Sequence, residues 1–226
     1  MRTLVSLFLV FIFSIPVFSQ TIENPNVGLA SHNTARITKV VFGTASTEVY
    51  LSIKNEVEGG WICFDKKTRL IKPDGSSVKI KDLDGVPFCP ERYNFSAADE
   101  SVSFKLVFPA TGNLPWFNIV EECESNCFKF YGITTDQKIN DALDDAFAEW
   151  YLGNNDEACV KFENIIEKYG KQNPGISGSV YSCIIMLYKN LDMKDNVKLW
   201  YEALVNSKSP NRDLYIENLR SQGISF

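Results

Sequence analysis

FKFYGITTDQKINDALDDAFAEW, residues 128–150, changes its hydrophobic period in the middle. Phe128 to Tyr131 reads as a strand. Ile139, Leu143, Ala146 and Trp150 then recur every three or four residues, the spacing of one helix face. The switch falls near residue 135 and divides the chain. From Arg36 to Ile133 the period is two. Strands are expected at Ile37 to Phe42, at Val49, Leu51 and Ile53, at Trp61 to Phe64, at Val102 to Phe108 and at Trp116 to Val120. A hairpin is expected where Leu70-Ile71 and Val78-Lys79-Ile80 flank Pro73-Asp74-Gly75, because Pro presets a turn and Gly supplies a positive φ. About seven short strands in about 100 residues predict an antiparallel β-sandwich.

Beyond Asp136 the period is 3.6. Four helices follow the stripes through Ile139, through Phe162 and Ile165, through Val180, Ile184 and Leu187, and through Val197, Tyr201 and Leu204, with a short fifth from Arg212 to about Arg220. The fold class is therefore α+β in two modules: a β-sandwich over residues 20–134, then a helical-hairpin module over 135–226. Leu152-Gly153-Asn154, Ala158, Phe162 and Ile165 can be laid on Leu191-Asp192-Met193, Val197, Tyr201 and Leu204 at a constant offset of 39 residues (197 − 158 = 39). This pattern resembles the tetratricopeptide repeat, with a longer period, Val197 for the small residue and Gly170 in place of the terminal Pro. The resemblance implies paired antiparallel helices. The β region from Val40 to Ile133, with Thr47 to Ile53, Trp61-Ile62, Asp74-Gly75 and Phe104 to Pro109, is similar to a sandwich domain of exported Gram-negative bacterial proteins. That similarity implies no catalytic residue.

Residues 1–19, MRTLVSLFLVFIFSIPVFS, read as a signal peptide: an early Arg2, an apolar run from Leu4 to Ile15, then Pro16 and a small Ser19. The run is shorter than the ~20 residues a membrane span needs, so the mature chain is expected to begin at Gln20, to carry no span, and to be secreted or held in the periplasm or cell envelope. In such an oxidising place the six cysteines read as disulfide material. Cys63 is expected to pair with Cys89 inside the β module and Cys123 with Cys127 across a turn of Glu124, Ser125 and Asn126. Cys159 and Cys183, on successive helices, are either paired or buried as thiols.

A net charge of −5 removes the basic footprint of a nucleic-acid binder. His32 is the only histidine, which leaves no His-based triad or His-rich metal site. No catalytic, cofactor-binding or metal-ligating set emerges, and no cofactor is expected. Asp141, Asp144, Asp145 and Glu149, with Asp156 and Glu157, lie in a stretch from Ile139 to Val160 without a basic residue. They form a docking face for a basic protein partner, a weak calcium site, for which the loop spacing is missing, or a solvated helix face, and the solvated face is the expectation. Trp61, Trp116 and Phe117 form either a platform for sugar rings or sandwich core, and core is the expectation. Two hairpins leave an end to cover, by a fifth helix carrying Leu214, Tyr215 and Leu219 or by the sandwich; an end left open would expose an apolar partner site. The sequence thus points to an exported, non-enzymatic interaction or scaffolding protein. The alternative is a carbohydrate- or envelope-binding accessory module built on the sandwich.

Overall fold

Alternation along Ser101–Pro109 buries Val102, Phe104, Leu106 and Phe108 and turns Ser101 and Ser103 to solvent. This computed structural model describes residues 19–226, so the signal-peptide expectation lies outside the described residues except for Ser19. Twelve strands are described: β1 (Gln20–Glu23), β2 (Val27–Ala30), β3 (Ala35–Phe42), β4 (Ser46–Lys54), β5 (Trp61–Ile62), β6 (Arg69–Ile71), β7 (Ser77–Lys79), β8 (Asp82–Asp84), β9 (Tyr93–Asn94), β10 (Ser101–Pro109), β11 (Trp116–Val120) and β12 (Lys129–Thr134). They form two antiparallel five-stranded sheets, ordered β1-β3-β4-β10-β8 and β2-β12-β11-β6-β7, with β5 and β9 as a separate pair. One core lies in this region and holds Leu51, Phe64, Phe104, Phe108, Phe117 and Phe130. The expected hairpin is β6–β7, with Leu70 opposite Val78 and Gly75 at φ +82° in its turn.

Two parts of this region differ from the sequence reading. The expected strand from Trp61 to Phe64 shrinks to two residues, and Trp61 is half exposed rather than buried. It pairs only with Asn94, in a ribbon outside both sheets, so one side of the strand faces water. The short strands β1, β2, β8 and β9 carry too few apolar residues to show an alternating pattern: Ile22 is the one buried residue of β1, and β8 reads Asp-Leu-Asp.

The helices are α1 (Gln137–Tyr151), α2 (Asn155–Tyr169), α3 (Ser177–Asn190), α4 (Lys194–Asn206) and α5 (Arg212–Ser221), with a 3-10 turn at Pro174–Ile176 before α3. Asp136 starts α1 by accepting the N–H groups of Lys138 and Ile139 on Oδ1 at 2.9 and 3.3 Å. The α1–α2 and α3–α4 turns share one backbone hydrogen-bond pattern at the 39-residue offset. Leu152 N–H donates to Ala148 as Leu191 does to Leu187; Gly153 to Trp150 as Asp192 to Lys189; Asn154 to Glu149 as Met193 to Tyr188. Gly153 and Asp192 take the left-handed φ that each turn requires, +83° and +57°. Three-residue connections force each pair to run antiparallel.

The modules meet through large rings seated on glycines. The Trp116 indole of β11 is buried on the Gly175 backbone, where a Cβ would collide with the ring. Tyr215 of α5 lies on Gly178 of α3 and reaches Gly28 of β2 with its hydroxyl. Beside them the buried Asn140 of α1 accepts from the Asn26 backbone N–H at 2.9 Å and donates to Thr134 at 2.9 Å. Every polar group of that amide faces protein, so the start of α1 is tied to the sandwich.

Candidate functional site

The two ends of the helical layer are finished differently. At one end α5 packs on α3 and α4 with Tyr215, Ile216 and Leu219 buried, and Leu214 half-buried at its edge, so the fifth helix forms a cap. At the other end α1 packs mainly on α2, and among the described residues its last turn has no further helix beyond it. There Phe147 and Trp150 stack at 6.3 Å, and Phe147 also stacks on Tyr151 at 6.4 Å. Both Phe147 and Trp150 set an edge against the fully buried Phe162 of α2, at 5.1 and 6.2 Å. Phe162 thus anchors an aromatic group that stays uncovered on its outer side. Tyr151 is 88% and Leu152 75% exposed, and Val160 on α2 is also exposed. Trp150, placed by its stripe in the core, is only half-buried because no described element packs beyond α1.

Acids surround this group unevenly. Lys161 of α2 reaches Asp145 at 2.9 Å and Glu149 at 3.1 Å, so the basic residue just past the acid-only stretch neutralises two of its members. Glu149 also accepts from Asn154 Nδ2 at 2.8 Å, and that bond, with Lys161, holds its carboxyl below the usual range. Asp144 accepts from Asn26 Nδ2 at 3.0 Å, which ties it to the sandwich, and Asp141 accepts from Gln137 Nε2 at 2.8 Å. Asp156 and Glu157 are exposed in the first turn of α2, where they suit the helix dipole. The four α1 acids therefore share one helix, but each already has a partner within the chain. Sequence reading missed Phe147, Tyr151 and Lys161; the i, i+4 pairing of Phe147 with Tyr151, off the buried stripe, was the available signal.

Elsewhere the candidates scatter. Trp116 and Phe117 are buried, and the exposed Trp61 carries the Arg92 guanidinium 3.9 Å from its ring centre. The three rings do not form a row. His32 sits beside Phe128 at 4.5 Å and bonds Ser31 Oγ at 2.8 Å, with partial burial lowering its pKa. Disulfides join Cys63 to Cys89 and Cys123 to Cys127, with Cα separations of 5.1 and 5.6 Å. Cys159 and Cys183 are buried free thiols, and burial pushes them up to about 11 and about 12. Glu121, buried near the 123–127 disulfide, accepts the Asp65 and Phe128 backbone N–H groups at 2.7 Å each. Burial nevertheless raises its pKa.

Among the described residues no three His, Cys, Asp or Glu side chains are placed to hold a metal ion. No helix among them is long and apolar enough to cross a membrane. The two disulfides point to an oxidising, extracytoplasmic environment. No protein-family model, curated protein or solved structure matches the chain.

Proposed function

We propose that this chain is an exported, non-enzymatic interaction or scaffolding protein whose open helical end docks another protein. The observation that carries this reading is the aromatic group of half-buried Phe147 and Trp150 with exposed Tyr151 and Leu152, at the end of the layer that has no capping helix among the described residues. Trp150 and Phe147 rest on the buried Phe162, and Tyr151 stacks on Phe147; Trp and Tyr supply large contact area with few rotatable bonds, which is the composition of binding hot spots. Asp156, Glu157 and the exposed parts of Asp141, Asp144 and Asp145 make the rim negative, which favours a basic partner and salt-sensitive association. The tetratricopeptide-like turn pairing fits the same reading, as does a signal peptide over residues 1–19. The alternative, a carbohydrate-binding module, has no support from the aromatic residues, because the rings it needs are dispersed.

Tyr151→Ser with Leu152→Ser tests the proposal without disturbing the fold, since both side chains are largely in water. Residues 20–134 alone are a poorer test, because cutting there bares Trp116, which the helices cover. The double variant is expected to lose partners that the parent chain retains. Equal recovery would remove the open end from the account.

A further inference from the structure

Away from the aromatic end, a cavity of about 500 Å³ lies between the C-terminal ends of α2 and α4 and the start of α3, a size within the range of small-molecule sites. Its wall includes Ile166, Pro174 and the half-buried Tyr181, and its polar lining includes Ser177 and the buried Ser209. Lys171 and Lys208 stand on opposite connections at its rim, and neither forms an ion pair among the described residues. Glu167 is the single carboxylate in the lining, so the cavity is locally cationic in a chain of net charge −5. Ser177 opens the 14-residue α3 directly after the Pro174–Ile176 turn, and its hydroxyl donates to the Gly170 carbonyl at 3.3 Å. The loop carrying Lys208 is held in place: Arg212 donates to the Val205 and Ser207 carbonyls at 3.0 and 3.4 Å, and Ser207 bonds Ser209 at 2.8 Å.

We propose that this cavity binds a small organic anion, with its phosphate or carboxylate group between Lys171 and Lys208 and its apolar body against Ile166, Pro174 and Tyr181. A bare inorganic ion would leave most of the space unfilled, whereas a neutral molecule would gain nothing from the two exposed lysines at the rim. The site is independent of the aromatic surface on α1.

Amide chemical-shift titration of the full chain with phenyl phosphate, inorganic phosphate and benzyl alcohol tests it. Phenyl phosphate is expected to saturate shifts confined to residues 166–181 and 204–213, with a dissociation constant of about 1 mM. Inorganic phosphate should move the same amides about tenfold more weakly, and benzyl alcohol should not saturate. Lys171→Gln with Lys208→Gln, both at exposed positions, should weaken phenyl phosphate about tenfold and leave the rest of the spectrum unchanged. The proposal is overturned if shifts scatter over the surface lysines, if the double variant binds as the parent does, or if benzyl alcohol or inorganic phosphate binds as tightly as phenyl phosphate.

Discussion

The sandwich and the helical layer bury similar aromatic residues in different ways. The sandwich joins strands far apart in sequence: β4 pairs with β10 across about 50 residues, and long irregular connections separate its elements. Both disulfides lie in this half. The helical layer is built from neighbours in sequence, with three-residue turns inside the α1–α2 and α3–α4 pairs, and holds its two cysteines as buried thiols. The Cys63–Cys89 link thus closes a long loop in the half built from distant contacts, the Cys123–Cys127 link fixes a local turn there, and the helical half, built from local contacts, has neither. The comparison makes the sandwich sensitive to reduction and the helical layer sensitive to cavities.

The largest expected effect is on the helical side. Phe162→Ala removes the fully buried ring that supports both Phe147 and Trp150, and should cost about 3–5 kcal/mol in urea-induced unfolding. A loss under about 1 kcal/mol would mean that the open end does not depend on its anchor. Next is Cys63→Ala with Cys89→Ala: releasing a link of sequence separation 26 should cost about 3–4 kcal/mol on the chain-entropy account. Breaking the 123–127 link, of separation 4, should cost clearly less, and reversal of that order would undo the comparison.

A smaller change is expected from Glu121→Ala, which takes the acceptor from two part-buried backbone N–H groups and should cost about 1–3 kcal/mol. The sign of its pH dependence follows from the raised pKa. The Glu121 contribution is complete below the unfolded value near 4.5 and falls as pH rises through the folded value, so the variant should show a flatter stability profile there. Smallest is the effect of the two thiols. Their folded values lie above the unfolded one, so their contribution is complete below about pH 8.5 and declines as pH rises through 11 and 12. In the native chain at pH 8 both should react with iodoacetamide far more slowly than in urea; fast native reaction would contradict their burial.

Period carried most of the fold. The shift between Tyr131 and Ile139 placed the boundary, and the alternation at Val102 to Phe108 placed one of the two nine-residue strands of the core. Both cysteine pairs within the β region were also legible, because each lay within one module of an oxidised chain. Trp61 was misread, since a short edge ribbon shows the same apolar letters as a core strand. The candidate site was half legible. Acids on α1 stood out in the sequence, but their pairing with Lys161 and Asn26 depends on how α2 and β2 fold back on them. Exposure of Tyr151 and Leu152 follows from the lack, among the described residues, of a helix beyond α1, which no local pattern encodes.

The central claim is that the open end of the helical layer is the docking surface. Affinity capture from an extracytoplasmic fraction, run in parallel with the parent chain, Tyr151→Ser/Leu152→Ser and Trp61→Ala, tests it most directly. The account predicts a protein retained by the parent and by Trp61→Ala, lost about tenfold in the double variant, and released when salt is raised to about 0.5 M. Retention by the double variant at the parent level, or loss only with Trp61→Ala, would contradict it and move the interaction to the sandwich.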